Sequence, residues 1–425
     1  MGQRFYVETL GCPKNDVDSD KIIGNLLAQG YSRTDNPAKA DVVVVNTCAF
    51  IEEARQESRD VIENLDGLRK RSSRLVVTGC MAERYGSEIA HEIPGIDQVA
   101  GFGVPIQLGR KPLKVTSKVP SLDLLNMPRP RSSTPWAYVK IAEGCDRNCG
   151  FCAIPSFRGP QRSRDPQSIL DEVDDLGVRE VVLIAQDLAS YGKDRPGELG
   201  AGSIIPLVRD VAARADWVRL LYLYPSDLSD ELIETIIATG VPYFDLSLQH
   251  VSKEHLRRMR RWGDKDRFLE RIERIRALAP DATFRSNFIV GYPGETEEDH
   301  DQLLDFVREA RLDWCGFFSF SPEEGTHALT LPDHVPVPLM NERLAELREI
   351  QDSMTADSRD ALLGETITVL VDEPGIARSV REAPEIDGVV QVSDTLAVGE
   401  FHRVTIQQVF GPDLIADGAG DDLAG

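Results

Sequence analysis

A strand–helix alternation repeated six times over residues 134–361 constrains the fold of this chain more than any other feature. Short apolar runs alternate with amphipathic stretches of helical period. Such repeats predict parallel strands joined by crossover helices. We expect a partial (β/α)6 barrel, open on one side, with ligands at the carboxyl ends of its strands. The six apolar runs are WAYVKIAEG (136–144), EVVLIAQD (180–187), VRLLYLYPS (218–226), FDLSLQH (244–250), FRSNFIVGYPG (284–294) and WCGFFSFSPEEG (314–325).

The region before this repeat has the pattern of a separate α/β domain. Strand-like runs end at Leu10, Cys48 and Cys80, and a helix is predicted from Asp18 to a stop at Gly30. The run DVVVVNTC is typical of a buried parallel strand. We expect a doubly wound α/β domain over residues 1–116. A segment rich in Pro and Ser follows and predicts an extended linker over residues 117–133.

The region after the repeat, residues 363–425, has a different sequence pattern, with no helical periodicity. ETITVLVDE, GVVQVSDT and FHRVTIQQVFG are short strand-like runs interrupted by Gly, Pro and Asp. They predict a small antiparallel β-barrel. This region has 3 basic and 12 acidic residues, a net charge of −9. It therefore lacks the basic groove with which small barrels bind nucleic acid.

Composition limits the classes of protein that remain. The chain has 425 residues, a net charge of −22 and seven cysteines. An odd and sparse set of cysteines predicts reduced thiols and a cytoplasmic protein. The N-terminus lacks a signal-peptide pattern, and no apolar run approaches the ~20 residues of a membrane span. The acidity disfavours nucleic acid as a partner, although solubility alone would also explain it.

Three cysteines lie within eight residues directly after the first barrel strand, in the stretch EGCDRNCGFCAIPSFRG. Cys145, Cys149 and Cys152 have the spacing C-x3-C-x2-C. Zinc sites usually add a second ligand pair further along the chain, and none is evident in this segment. Iron–sulfur clusters normally take four thiolates. Three thiolates would therefore leave one iron open to a small molecule.

Three further cysteines share one placement in the N-terminal domain. Cys12, Cys48 and Cys80 each come just after a predicted strand, although 36 and 32 residues separate them. Because parallel strand ends share one edge of a sheet, the thiols are expected to converge on a second three-cysteine site. Burial as small apolar residues is the alternative. Cys315 lies inside an apolar run and is expected to belong to the core.

With these motifs the chain resembles a known family. The C-x3-C-x2-C loop that opens a six-unit barrel resembles the radical S-adenosylmethionine enzymes, and the three-part layout resembles the methylthiotransferases. The resemblance covers essentially the whole chain, and its motifs include GCPKN (11–15), VVNTCAFI (44–51), IVGYPGET (289–296) and SPEEGT (321–326). It implies a radical S-adenosylmethionine core over 134–361 and an OB-like TRAM barrel over 363–425 that binds substrate.

Two branches of this family differ in substrate. One methylthiolates an adenosine of transfer RNA, and the other the β-carbon of an aspartate in small-subunit ribosomal protein twelve. EGCDRNCGFCAIPSFRGPQRSR and REAPEIDG (381–388) are similar to the ribosomal-protein branch. The acidic C-terminal barrel suits a basic ribosomal protein, free or in the ribosomal subunit, better than a nucleic acid. The transfer-RNA enzyme and a non-catalytic iron–sulfur carrier remain as alternatives.

The resemblance also implies the cofactors. Two [4Fe-4S] clusters are expected, one on Cys145, Cys149 and Cys152, which binds and cleaves S-adenosylmethionine, and one on the N-terminal cysteines, which holds the transferred sulfur. S-adenosylmethionine would serve as radical source and methyl donor, and a flavodoxin or ferredoxin as electron donor.

Positions near the strand ends suggest the contacts to S-adenosylmethionine. The residues expected to make them are Phe151, Gln186, Arg285 and Gly291. Glu295 is expected to help start the following helix rather than to bind a ligand.

Overall fold

A computed structural model describes residues 3–106, 123–198 and 202–417 of the chain. The predicted residues 107–116 of the first domain, 117–122 of the linker and 418–425 of the last domain lie outside these ranges. The elements of the N-terminal domain are β1 (Arg4–Thr9), α1 (Pro13–Ala28), β2 (Ser32–Arg33), β3 (Val42–Thr47), α2 (Glu52–Leu68), β4 (Arg74–Gly79), α3 (Cys80–Glu92) and β5 (Gln98–Ala100).

The N-terminal domain is a doubly wound parallel sheet, as predicted. Its strand order is β2-β1-β3-β4-β5, and every pair is parallel. Alternate residues of β3 enter different cores: Val43 packs with apolar residues of α2 and α3, and Val44 packs with those of α1. Helices therefore cover both faces of the sheet, and the fully buried β-branched run of β3 is its centre.

The start of α1 differs from the prediction. The helix begins at Pro13, directly after Cys12, and not at Asp18. Proline suits the first turn of a helix because its missing N–H would have no partner there. The apolar period that begins near Asp18 identified only the later turns, which pack on the sheet.

The central domain is the predicted open barrel. Its six parallel strands form two sheets, β10-β9-β6 and β11-β12-β13, joined by a bridge between Leu223 and Leu246. The barrel elements are β6 (Trp136–Lys140), β7 (Ala142–Glu143), α4 (Ile154–Arg158), β8 (Arg162–Ser163), α5 (Pro166–Leu176), β9 (Glu180–Ile184), α6 (Ile205–Ala212), β10 (Trp217–Leu220), α7 (Asp230–Ala238), β11 (Tyr243–Gln249), α8 (Lys253–Arg258), α9 (Lys265–Leu278), β12 (Thr283–Val290), α10 (Glu297–Ala310), β13 (Trp314–Ser319) and α11 (Val337–Asp360).

The C-terminal domain is a closed barrel in the order β14-β15-β16-β18-β17. Four of its pairings are antiparallel, as predicted, whereas β16 and β18 pair in parallel. Closure removes the exposed strand edges that a small sheet would otherwise present. Its strands are β14 (Thr366–Glu373), β15 (Ile376–Arg378), β16 (Val390–Gln391), β17 (Phe401–Phe410) and β18 (Asp413–Ala416).

Buried polar contacts join the C-terminal barrel to the central domain. The Glu180 carboxylate of β9 lies 2.8 Å from guanidinium nitrogens of both Arg219 and Arg378. Tyr138 donates a hydrogen bond to the carbonyl oxygen of Pro384 at 2.8 Å. Within the described residues, no helix has the length and apolar character needed to cross a membrane.

Candidate functional site

The three N-terminal cysteines lie at the carboxyl ends of three neighbouring strands. Cys12 follows β1, Cys48 follows β3 and Cys80 follows β4. Asn15, fully buried, joins two of these strand ends because its side-chain amide donates to the carbonyl oxygens of Leu10 at 2.7 Å and Thr47 at 3.1 Å. The structure thus brings the three thiols to one edge of the sheet, as the sequence predicted.

Glycine precedes two of these cysteines for a steric reason. Gly11 has a φ of +102°, and a Cβ there would lie 2.9 Å from the Cβ and 3.0 Å from the Sγ of Cys48. Gly79 has a φ of +89°, and its Cβ would lie 2.6 Å from the carbonyl oxygen of Thr47. A larger residue would push the strand ends apart, so the two Gly-Cys pairs allow the thiols to approach one another.

The barrel cysteines lie on the loop between β7 and α4. The Cys145 amide donates to the carbonyl oxygen of Gly159 at 3.1 Å, which closes the loop on itself. The Sγ of Cys145 accepts the backbone N–H of Arg147 at 3.4 Å, and the Sγ of Cys149 accepts from Arg261 at 3.3 Å. The loop therefore presents Cys145 to a backbone N–H and Cys149 to a charged guanidinium, and both donors would stabilise thiolates bound to a cluster.

The chemistry of both cysteine sets fits an iron–sulfur cluster. Burial raises the pKa of Cys48 and of Cys145 to about 11, and that of Cys152 to about 12. These thiols are therefore protonated at neutral pH until a metal displaces the proton. Two separate sets of three thiols, each beside a guanidinium donor, suit the anionic [4Fe-4S] cluster better than a closed four-ligand zinc site.

Arg158 connects the two cysteine sites. It ends α4, and its buried guanidinium donates to the Cys80 sulfur at 3.0 Å and to the Asn15 side-chain oxygen at 2.8 Å. Its other nitrogen donates to Glu143 at 2.9 Å. Because Glu143 lies two residues before Cys145, one side chain links the N-terminal site to the barrel loop.

A buried ion network surrounds this link. Lys140 pairs with Glu143 at 2.7 Å and also with Asp18, and Arg158 reaches Asp18 at 3.3 Å. Two cations thus face two carboxylates, and both Arg158 and Lys140 hold the pKa of Glu143 well below its usual range although burial opposes them. Sequence reasoning missed this network, since its members are distant in the chain; only the position of Arg158 and Glu143 in the cysteine stretch gave a signal.

Two of the predicted S-adenosylmethionine contacts lie by the cysteine loop. The Gln186 amide donates to Glu143 at 2.6 Å, and its buried side-chain oxygen has no hydrogen-bond partner among the described residues. Phe151 stands between Cys149 and Cys152 and packs partly buried against the barrel core. These two residues stay predicted contacts, with a free acceptor on Gln186 that suits a ligand.

The other two predicted contacts are engaged by protein groups. The guanidinium of Arg285 lies 3.4 Å from Asp245 and 3.4 Å from Asp387 of the C-terminal domain. Gly291 has a φ of +83°, and a Cβ there would lie 2.1 Å from the sulfur of Met340. In this arrangement Arg285 joins two domains, and Gly291 admits a side chain of α11. Their contact with S-adenosylmethionine stays a prediction.

Glu295 does not start α10, in contrast to the expectation. Thr296 caps that helix in a reciprocal capping box with Asp299. The Glu295 carboxylate instead accepts the N–H of Gly291 and pairs with Arg343 at 2.9 Å. The capping pattern T-x-x-D begins one residue later, and this explains the difference.

Glu295 also belongs to a buried group of metal-ligand residue types. Ligand atoms of His250, His255 and Glu295 lie within 4.8 Å of one another. The two imidazole rings are tilted against each other with centroids 4.4 Å apart, and burial lowers the pKa of His255 to about 4. Since the two rings pack against each other and the carboxylate is already paired with Arg343, this group forms a polar part of the barrel core.

Cys315 lies in β13, half-buried and packed against the barrel core, as expected. It stands apart from both cysteine sets.

Lys14 is a further residue that sequence reasoning missed. It is buried in the first turn of α1, with its ammonium nitrogen 3.1 Å from the centroid of the Tyr222 ring. Burial lowers the pKa of Lys14, whereas the Cys12 thiol and the Asp245 carboxylate raise it. Its place in GCPKN, two residues after a candidate cluster ligand, was the available signal.

Three family models match the chain. The Uncharacterized protein family UPF0004 matches residues 4–101, the Radical SAM superfamily matches residues 139–307, and the TRAM domain matches residues 363–418. The first match contains Cys12, Cys48 and Cys80, and the second contains the C-x3-C-x2-C loop.

Curated relatives extend this match over the whole chain. "Ribosomal protein uS12 methylthiotransferase RimO" of Moorella thermoacetica is 42% identical, over 96% of this chain and 97% of the relative. The chain belongs to this family. Proteins of the same name from Aquifex aeolicus and Thermodesulfovibrio yellowstonii are 41% and 40% identical, over 97% and 100% of this chain and 96% and 99% of those relatives.

Solved structures share the fold of this family member. The radical S-adenosylmethionine methyltransferase TsrM from Kitasatospora setae, with tryptophan and a SAM analog bound, has a TM-score of 0.54 and 14% identity. The match covers 94% of this chain and 82% of that chain. A second structure of TsrM, with cobalamin and a [4Fe-4S] cluster bound, has a TM-score of 0.51 at 14% identity, over 94% of this chain and 84% of that chain.

Proposed function

We propose that this chain methylthiolates the β-carbon of an aspartate in ribosomal protein uS12. The observation that carries the proposal is the pair of three-thiol sites, one on the N-terminal sheet and one on the barrel loop, joined by Arg158. The match of residues 139–307 to the Radical SAM superfamily disfavours a non-catalytic iron–sulfur carrier. The names of the full-length relatives support uS12 as the substrate.

The six cysteines are the proposed ligands of two [4Fe-4S] clusters. Cys145, Cys149 and Cys152 would hold the first, and Cys12, Cys48 and Cys80 the second. When bound, these clusters and S-adenosylmethionine would provide the chemistry that removes a hydrogen atom from the aspartate β-carbon and delivers a methylated sulfur to it.

The protein's own contribution is to orient and shield these groups. The N–H donors of Arg147 and Arg261 stabilise the thiolates of Cys145 and Cys149. The Gln186 side-chain oxygen is free to accept a hydrogen bond from S-adenosylmethionine. The backbone of Phe151 lies on the loop that carries the three barrel cysteines. Cys48 and Cys80 are buried, which limits the access of water to the N-terminal site.

Charge supports a protein substrate. The C-terminal region has a net charge of −9, which attracts a basic ribosomal protein and repels a nucleic-acid backbone. We infer that a flavodoxin or ferredoxin supplies electrons to the barrel cluster, as the likeness to the radical S-adenosylmethionine enzymes implies.

The mass of uS12 tests the proposal. In a strain that lacks this protein, uS12 should lose one methylthio group, and the wild-type gene should restore it. A gene with Cys145, Cys149 and Cys152 changed to Ala should fail to restore it, while a Cys315→Ala gene serves as the matched control and should restore it. An unchanged uS12 mass together with a missing methylthioadenosine in transfer RNA would contradict the proposal in favour of the transfer-RNA branch.

A further inference from the structure

Lys14 is a buried cation without an anionic partner in the described part of the chain. It is only 9% exposed, yet no hydrogen bond or ion pair involves its ammonium group. Two other buried lysines each have a carboxylate partner: Lys21 has Glu172 at 3.4 Å, and Lys140 has Glu143 at 2.7 Å. Because burial of an unpaired charge is costly, this arrangement suits a site completed by an anionic ligand.

A strained aromatic residue of the barrel holds the other side of this site. Tyr222 lies two residues after the carboxyl end of β10, with a φ of +65°. Its N–H donates to Asp245 at 2.8 Å, which fixes this conformation. The strained backbone places the ring under the Lys14 ammonium, 3.1 Å from the ring centroid. Strain of this kind in a bulky residue concentrates at ligand sites.

Lys14 lies in the first turn after Cys12 of the N-terminal site and reaches Tyr222 of the barrel domain. The charged groups that face it are the Cys12 thiol, the Asp245 and Glu143 carboxylates and the Arg158 guanidinium. Cys12 belongs to the N-terminal site, and Glu143 precedes the barrel cysteines. The amino end of the 16-residue helix α1 adds positive potential, and the Cys12 side chain does not cap it. A substrate group that must reach both sites would therefore pass this ammonium.

We propose that Lys14, supported by the Tyr222 ring, binds the carboxylate of the aspartate that is modified. This inference rests on the proposed function, from which the anionic acceptor follows. The ion pair fixes the carboxylate, so that the adjacent β-carbon is held between the two sites. A neutral nucleobase would leave the buried ammonium unpaired and would therefore bind more weakly. Lys14 thus selects a substrate that bears a carboxylate over an uncharged one.

Binding of a peptide separates this role from catalysis. The probe is a peptide with the acceptor loop of uS12, in versions with Asp or Asn at the acceptor position, titrated into the reconstituted enzyme without reductant. We expect the wild type to bind the Asp peptide about tenfold more tightly than the Asn peptide, as for loss of one charge-assisted hydrogen bond. Lys14→Met should bring this ratio close to one. Lys14→Arg should retain a preference for Asp.

Matched controls separate the carboxylate site from its alternative, a counter-charge for the N-terminal cluster. Lys39→Met removes an exposed lysine of the same domain and should leave the ratio unchanged. Lys14→Gln is a second neutral variant if Lys14→Met does not fold. If a folded neutral variant still binds the Asp peptide more tightly than the Asn peptide by the wild-type ratio, the inference is overturned. This holds even if the iron content or the cluster potential of that variant has changed. If wild-type protein binds neither peptide but modifies transfer RNA, the proposed function itself has failed.

Discussion

The Nη2 atom of Arg158 lies 3.0 Å from the sulfur of Cys80, so that a side chain of the barrel domain donates a hydrogen bond to a thiol of the N-terminal domain. The same guanidinium contacts Glu143 at 2.9 Å. Because a guanidinium is always charged, it would stabilise a thiolate at Cys80 and compensate the charge that the proposed cluster gains on reduction.

Replacement of Arg158 should therefore lower the reduction potential of the N-terminal cluster. Hydrogen bonds and positive charge near cluster sulfurs raise the potential. Loss of one charge-assisted bond corresponds to about a tenfold shift in the reduction equilibrium, on the order of 60 mV for one electron. We expect this decrease in reduction potential for Arg158→Gln and a smaller decrease for Arg158→Lys. The measurement is a redox titration followed by electron paramagnetic resonance, in protein whose three barrel cysteines are changed to Ala.

Arg162→Gln is the control for this measurement. It removes an arginine from the same segment, 56% exposed at its side chain and 3.5 Å from Asp123, without contact to Cys80. An unchanged potential in Arg158→Gln protein would show that the hydrogen bond has no electrostatic role.

The two cysteine sites should assemble independently. Wild-type protein should hold about eight irons after anaerobic reconstitution, taking about four for each cluster. Protein with Cys12, Cys48 and Cys80 changed to Ala should keep about half of this iron and still release deoxyadenosine from S-adenosylmethionine, measured by chromatography. Loss of all iron, with the fold intact by circular dichroism, would contradict independent sites.

The buried network at Glu180 should control the joint between the barrel and the C-terminal domain. Its carboxylate is fully buried between Arg219 and Arg378, each at 2.8 Å. Glu180→Gln would leave the buried Arg219 guanidinium without this carboxylate, while Arg378 keeps its pair with Asp372. Breaking a buried pair costs about 3–5 kcal/mol. We expect a lower thermal unfolding midpoint. Glu231→Gln, which breaks an exposed pair with Arg209, should change the midpoint little.

The architecture and the cysteine sites were accessible from the sequence because both depend on local patterns. The six apolar runs predicted the barrel strands, and the strand ends at Cys12, Cys48 and Cys80 predicted a shared edge. Side-chain partners across domains were not accessible. The contact of Arg158 with Cys80 joins residues 78 positions apart, and Lys14 meets Tyr222 only because two domains pack together. No periodicity or spacing reports such contacts.

Local sequence also misled where two signals compete. The apolar period of α1 starts near Asp18, whereas Pro13 sets its true beginning. Glu295 resembles a helix-starting residue, but Arg343, 48 positions later, recruits its carboxylate. In both cases a contact outside the local window decided the structure.

His255 should make the protein sensitive to acid. Its pKa is lowered by burial to about 4 in the folded state, whereas the unfolded chain takes up this proton near the ordinary histidine pKa of about 6.5. As the pH falls from 6.5 towards 4, the unfolded state binds more protons and stability is lost. Glu295, whose pKa burial raises to about 7, acts in the opposite direction, so the change must be followed as a difference between variants.

We therefore expect His255→Leu to gain stability over the wild type on acidification. At pH 5.5, about one unit below the pKa of His255 in the unfolded chain, protonation stabilises the unfolded wild type by about 1.4 kcal/mol. Between pH 7.5 and pH 5.5 the difference in unfolding free energy between His255→Leu and wild type should therefore shift by about 1.4 kcal/mol in favour of the variant. Thermal unfolding of the apoprotein at both pH values measures this shift. His334→Gln, at an exposed position, should show none. A gap between His255→Leu and wild type that does not change with pH would mean that His255 takes up its proton equally in the folded and unfolded chains.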